Sequence, residues 1–281
     1  MSALADVRGM RFRDRYGPWA VVTGASDGIG AAMAGRLAAE GLHLLLVARR
    51  ADRLAQLCEL LTDMHGIKVR VLPLDLSEPD SITPLAQACE GLDVGLVVAA
   101  AGFGSSGAFA ASDLGAERQM LAVNCRAVLD LSHWAASRLA ARGRGGLILF
   151  GSIVGFQGVP GSAHYAATKA WVQTLAEGLN LELKSAQVDV LSSAPGPVHT
   201  GFAARAGLQM QQALDAETVA AATLAALGRR MTVAPGWLSK LLHFALTGLP
   251  RAIRARIMGR VMSRMIDHGS SAPRAVSNSG R

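Results

Sequence analysis

Tyr165 and Lys169 stand four residues apart in a segment, Ala163 to Lys184, whose apolar spacing predicts a helix. On a helix that spacing places the two side chains on one face, one turn apart. A cation beside a phenol favours the phenolate, so the lysine is expected to lower the tyrosine pKa toward a range useful for proton transfer. Ser152 follows a predicted strand, Leu147 to Gly151, at the end of which a side chain in an open α/β sheet faces the ligand crevice. A proton donor, a cation and a hydroxyl are what a carbonyl group needs in order to accept hydride. Tyr-x-x-x-Lys by itself also occurs on ordinary surface helices, so the rest of the chain decides its meaning.

Upstream, Thr23-Gly24-Ala25-Ser26-Asp27-Gly28-Ile29-Gly30 follows a short apolar strand, Trp19 to Thr23, and opens a helix, Ile29 to Glu40. Glycines at this place permit a tight turn and let backbone N–H groups approach a pyrophosphate at the positive end of the helix. The next strand, Leu42 to Ala48, ends without the acidic residue that binds a ribose 2′-hydroxyl. It runs instead into Arg49 and Arg50, with Arg53 a turn on. Guanidinium groups suit a 2′-phosphate, so NADP(H) is expected over NAD(H), with Arg49 as the phosphate contact and Ser26 assisting. The alternative is that these arginines only solvate a helix start.

The elements that must position these residues alternate strand and helix from Trp19 to Ala234. That alternation predicts an α/β fold, a Rossmann-type doubly wound parallel sheet of about seven strands with helices on both faces, in a single domain. A loose arm is expected over residues 1–15, the dinucleotide-binding and catalytic domain over 16–235, an amphipathic helical segment over 236–267 and a disordered tail over 268–281. Leu114 to Ala141 is expected to be one long helix.

Of the 281 residues 51% are hydrophobic and 17% charged, which suits a sheet buried on both faces and argues against disorder. The net charge is +7, but much of the basic excess lies near the C-terminus, and no interleaved basic–aromatic stripe points to nucleic acid. Cys58, Cys89 and Cys125 are scattered, so neither a disulfide framework nor a metal site is expected, and a cytoplasmic, reducing setting fits. Neither a signal-peptide core nor an apolar run long enough to span a bilayer occurs. Ile253, Ile257, Met258, Val261, Met262, Met265 and Ile266 form a helical stripe, with Arg251, Arg254, Arg260 and Arg264 largely off it. Such a segment suits burial against protein, a lid over the cleft, an oligomer contact or the surface of a membrane.

Taken together these residues resemble the short-chain dehydrogenase/reductase family in its shorter branch, and look most like its hydroxysteroid and 3-oxoacyl reductase members. The resemblance covers roughly Trp19 to Ala234. It implies cofactor contacts from Thr23, Gly24, Ser26, Gly28, Ile29 and Gly30 of the turn, from Asp75 at the adenine, and from Gly102. Pro195, Gly196, Val198 and Thr200 match the loop that holds the nicotinamide amide. Asn124, Ser152, Tyr165 and Lys169 match the catalytic residues, with intervals of 28 residues from Asn124 to Ser152 and 13 from Ser152 to Tyr165.

The implied chemistry interconverts a ketone and a secondary alcohol. Tyr165 gives the proton, Lys169 lowers its pKa and binds the nicotinamide ribose, Ser152 fixes the carbonyl oxygen, and Asn124 holds a water that refills the proton through Lys169. The chain departs from the family at Ala99-Ala100-Ala101-Gly102, where Asn-Asn-Ala-Gly is usual, so the sheet centre loses two bracing amides. Phe103, Phe156, Val159, Pro160 and Phe202 flank the expected substrate crevice and suggest an apolar substrate, ordinary packing being the alternative. His164, just before Tyr165, is a candidate for the substrate mouth, a partly exposed helix-start residue being the alternative. Related enzymes pair through the middle and catalytic helices, so a homodimer or homotetramer is expected, with Trp171, Leu175 and Leu179 on the pairing face. The competing functions are a non-catalytic dinucleotide-binding sensor or scaffold, and a related epimerase or dehydratase.

Overall fold

The computed structural model describes residues 11–201 and 213–267. β1 (Trp19–Thr23), β2 (His43–Ala48), β4 (Val94–Ala99), β5 (Gly145–Phe150) and β6 (Val188–Ser193) are almost wholly buried, as strands covered on both faces must be, and all but β6 are largely apolar. β3 (Val69–Pro73) and β7 (Thr232–Val233) close the edges. All seven pair in parallel in the order β3-β2-β1-β4-β5-β6-β7. The expected doubly wound parallel sheet is therefore present.

Helices cover both faces. α2 (Gly28–Ala39), α3 (Ala51–His65) and α8 (Ala216–Ala226) pack Leu37, Leu54 and Leu224 into one core. α4 (Ile82–Ala88), α6 (Ala127–Arg142) and α7 (Ala163–Glu182) pack Leu85, Leu131 and Val172 into the other. β1 and β4 are neighbours although the chain builds the sheet outward from them in opposite directions. The loops at their carboxyl ends diverge and leave a crevice there. A third cluster joins α9 (Trp237–Thr247) and α10 (Arg251–Asp267) to the active-site side, where Leu246, Met258 and Met262 pack on Ile153, Val154, Val159 and Ala166.

Two local expectations need correction. The N-terminal arm does not run to residue 15, because Phe12–Tyr16 form α1 and Phe12, Arg15 and Tyr16 are buried. Burial of Arg15 is made tolerable by Asp189 of β6: its Nε donates to Asp189 Oδ2 at 2.6 Å and its Nη2 to the Gln187 carbonyl at 3.2 Å. The Tyr16 hydroxyl donates to the same carboxylate oxygen at 2.7 Å. Nor is the middle helix continuous: a π-helical turn, Ala122–Arg126, separates α5 (Leu114–Leu121) from α6. The wider turn changes the facing of the residues after it, and it contains Asn124. The rest of the expected arm (residues 1–10), the expected tail and Phe202 lie outside the described residues.

On α7, Leu175 and Leu179 pack against the chain's own core, and the outward apolar residues are Trp171 and Leu181. On α9, Trp237, Leu241 and Phe244 point outward. No helix among the described residues is long and apolar enough to cross a membrane.

The Arg15–Asp189 pair fixes the first helix beneath the sheet. Asp189→Asn leaves a buried guanidinium with a neutral partner and is expected to destabilise the fold by about 3–5 kcal/mol. Urea unfolding checks this, and a midpoint within error of the parent would show that the pair does not hold α1.

Candidate active site

The crevice at the switch point is a chamber of about 560 Å³, lined from the carboxyl ends of β1 to β6 and from the two C-terminal helices. Its floor at one end is the glycine turn. A Cβ on Gly30 would lie 2.2 Å from the Gly24 carbonyl oxygen, and one on Gly24 would lie 2.8 Å from Ala101 Cα. Gly28 has φ +52°, and a Cβ there would lie 2.7 Å from Thr200. Only hydrogen fits at these positions, which brings the start of α2 close to the chamber as a pyrophosphate requires. Ser26, Ile29, Arg49, Asp75, Gly102, Pro195, Gly196, Val198 and Thr200 line the same space.

Thr23 does not line it. Buried beneath the turn, its hydroxyl donates to Val98 O at 3.4 Å and accepts from Ala101 N at 3.3 Å. Thr23 thus ties β1 to the end of β4, next to Ala99 and Ala100.

The two arginines both line the chamber and make different contacts. Arg49 Nη1 lies 3.8 Å from Asp75 Oδ2. Arg50 is the one beside Ser26: its Nε and Nη2 donate to Ser26 Oγ at 3.3 and 3.1 Å, and its Nη2 lies 3.4 Å from Asp27 Oδ2. The strand-to-helix turn points consecutive side chains apart, so the sequence could name the pair but not the member that meets Ser26.

Ser152, Tyr165 and Lys169 converge on the chamber beyond Gly102. The Lys169 amine donates to the Phe150 carbonyl at 2.9 Å and lies 5.8 Å from the centre of the Tyr165 ring. A Cβ on Gly102 would lie 3.3 Å from that amine and 3.1 Å from Asn124 Oδ1, so glycine keeps the approach open.

The electrostatics correct one expectation. Burial pushes the Tyr165 phenol well above its ordinary value, and the hydrogen bond from Ser152 only partly opposes it. Burial also lowers Lys169 to about 8. Desolvation of the phenol outweighs the hydrogen bond with Ser152, so Tyr165 holds its proton near neutral pH.

Asn124 is a brace. Its Oδ1 accepts from Phe103 N at 3.1 Å, and its Nδ2 donates to Phe103 O at 2.8 Å and to Thr168 Oγ1 at 3.1 Å. Phe103 does line the chamber. Phe156 lies on a separate small hollow with Leu246 and Arg254, because the 3₁₀ turn Ile153–Phe156 carries it behind the wall. His164 is likewise behind the wall, with Nδ1 2.6 Å from Glu117 Oε2.

In their place the C-terminal helices supply Leu242, Met258, Val261, Met262 and Met265. The apolar stripe on α10 was the sequence signal for all of these but Leu242, which lies on α9. Nothing local in the sequence marked Glu117.

Comparison with known proteins finds relatives that share the fold. The family model described as short chain dehydrogenase matches residues 18–211. A 7beta-hydroxysteroid dehydrogenase of Clostridium sardiniense is 37% identical over 191 residues, 68% of this chain and 73% of that protein. A very-long-chain 3-oxoacyl-CoA reductase of Neurospora crassa is 35% identical over 186 residues, 64% of this chain and 56% of that one. A solved structure concerned with 7beta-hydroxysteroid dehydrogenase stereoselectivity superposes with a TM-score of 0.82 at 26% identity, covering 89% of this chain and 100% of that one. A short-chain dehydrogenase from Sphingobium yanoikuyae in complex with NADPH gives 0.73 at 29% identity, covering 92% and 98%.

The depressed Lys169 pKa has a sign that can be tested. The unfolded lysine binds its proton up to about pH 10.5 and the folded one up to about 8, so the unfolded state binds more protons between them and stability rises with pH across that window. Below about pH 8 the full cost of the buried charge is present. Lys169→Met should therefore be more stable than the parent at pH 7, by roughly 1–3 kcal/mol, with the advantage shrinking by pH 10. Denaturant unfolding of both proteins at the two pH values decides it, and a pH-independent difference would assign the effect to packing.

Proposed function

The chain belongs to the short-chain dehydrogenase family, NAD(P)-dependent oxidoreductases acting on hydroxyl and carbonyl groups, and from that premise we propose that it is an NADP(H)-linked reductase of bulky apolar ketones. The observation that carries this reading is the wall of Leu242, Met258, Val261, Met262 and Met265, which shares one chamber with Ser152, Tyr165 and Lys169. An apolar wall rewards the burial of apolar surface and selects against small polar carbonyl compounds. Residues 237–267 therefore act as a lid on the substrate side. The names of the hydroxysteroid and very-long-chain oxoacyl relatives support a lipophilic substrate.

The dinucleotide fits the glycine cradle, with Gly24, Gly28 and Gly30 under the pyrophosphate, Asp75 toward the adenine, and Arg50 with Ser26 toward the 2′-phosphate. When bound, the nicotinamide supplies the hydride for reduction and accepts it in oxidation. Tyr165, held protonated by burial, gives its proton to the carbonyl oxygen as negative charge develops there, so ketone, hydride and proton together become the alcohol. Ser152 hydrogen-bonds Tyr165 and stands where it also reaches the substrate oxygen. Lys169, anchored on the Phe150 carbonyl, stabilises the phenolate that remains. These residues act mainly by position and by electrostatics fixed before the reaction. Retention of both Tyr165 and Lys169 favours an enzyme over a non-catalytic sensor. Pairing of protomers through the outward apolar residues of α6 and α7, Leu129 and Trp171, is proposed with it.

A panel of ketones graded in size, assayed by NADPH oxidation, tests the reading. Turnover should favour the bulky apolar members, and Tyr165→Phe should abolish it while NADPH binding persists. Preference for small polar ketones, or full activity in the Phe variant, would reject it. For the cofactor, Arg50→Asp should weaken NADPH binding more than about tenfold, since a lost charge-assisted bond costs roughly 1.5–3 kcal/mol, and should change NADH binding little. Arg49→Asp should have the smaller effect. An equal loss for both cofactors upon Arg50→Asp would move the phosphate site elsewhere.

A further inference from the structure

Glu117 is a buried carboxylate that the chemistry above does not use, only 5% exposed in the first turn of α5. A carboxylate in such a place is costly unless its oxygens are bonded, and both are. Oε2 lies 2.6 Å from His164 Nδ1, and Oε1 accepts from Ser105 Oγ at 3.0 Å. His164 is the residue before Tyr165 on α7. Ser105 belongs to the loop after β4 and lines the substrate chamber. The loop is tied to the start of α7 twice more, by Ser162 Oγ donating to Ser105 O at 3.0 Å and by Gly107 N donating to Gly161 O at 2.9 Å. Phe109 of the same loop sets its ring edge-on to His164, 6.5 Å between centres.

A second tie runs parallel to the first. Asn124 donates to Thr168 Oγ1 at 3.1 Å, and that hydroxyl donates to the Tyr165 carbonyl at 2.8 Å. Glu117 and Asn124 are seven residues apart on the middle helix, and His164 and Thr168 are four apart on α7. The ties are thus two rungs between the same two helices, one on each side of Tyr165 along α7. We propose that Glu117 and His164 form a positioning pair that holds Tyr165 and the Ser105 wall of the ketone site in register with each other. Neither touches the reacting atoms. The role rests on the reductase reading of the site, in which Tyr165 is the proton donor.

A double-mutant cycle on the full chain tests it, using Glu117→Ala, His164→Ala and both together. Each single change should lower kcat/KM for a bulky ketone by about tenfold or more, because small displacements of a reacting group are costly. The KM for NADPH, bound at the far glycine turn, should change less than twofold. The double variant should be no worse than either single, since one rung is broken in all three. Glu117→Gln keeps an acceptor for His164 and a hydrogen-bonding partner for Ser105, and should recover activity to within about threefold of the parent. Backbone hydrogen exchange over residues 103–112 and the first turn of α7 should quicken in the Ala variants and not in the Gln variant.

Additive losses, an equal rise in the KM for NADPH, or a Gln variant as impaired as the Ala variant would overturn the proposal. If the intact protein turns over no ketone, the reductase reading fails instead, and the exchange rates still decide the pair. Exchange unchanged by Glu117→Ala means that it positions nothing.

Discussion

The buried amine of Lys169 sets the terms for everything around it. An ammonium group in an apolar wall must be bonded, and the bond it makes is to the Phe150 carbonyl at the end of β5, 2.9 Å away. That contact fixes how far α7 stands from the sheet. It brings Tyr165, one turn back on the same face, over the end of β5 where Ser152 lies. It also requires a glycine at 102, since a methyl there would press on the amine and on the Asn124 amide together. The same burial keeps the Tyr165 phenol protonated, which is the state a proton donor needs. The site therefore carries a destabilised lysine whose cost is met by the packing of both cores.

Two features keep that arrangement rigid. The rungs from Glu117 to His164 and from Asn124 to Thr168 fasten the catalytic helix to the middle helix, and the π-helical turn sets the facing of Asn124. Below the sheet, at the amino ends of the strands, Arg15 and Tyr16 share the Asp189 carboxylate and fasten α1 to β6. A buried cation lies at each end of the sheet, with opposite consequences. Asp189 neutralises Arg15, whereas Lys169 faces no carboxylate among the described residues and its pKa falls.

The substrate side is built by a part of the chain that the sheet does not need. α9 and α10 leave β7 at the carboxyl edge and return over the crevice, where Met262 packs near Gly161 and Gly259 lies against Pro160. Methionine is unbranched and adapts to irregular surfaces. A wall containing Met258, Met262 and Met265 thus suits apolar ligands of varied outline.

Much of this was legible before any coordinates. Short continuous apolar runs bounded by turn residues suit strands buried on both faces, and the alternation of strand and helix orders them, so the parallel sheet, the glycine turn at its switch point and the meeting of Ser152, Tyr165 and Lys169 in one chamber followed from residue type and spacing. Those signals are local, and each depends on neighbours within a turn or a strand.

What the tertiary structure decided depends on distance through space. Arg50, and not Arg49, meets Ser26 because the bend after β2 turns adjacent side chains apart. His164 turned from the chamber to Glu117, 47 residues away, and Phe156 passed behind the wall. Arg15 became part of the fold through Asp189, 174 residues on. The phenol of Tyr165 rose where a lysine one turn away argued that it should fall, because desolvation is a property of the whole surrounding volume and no spacing in the chain encodes it.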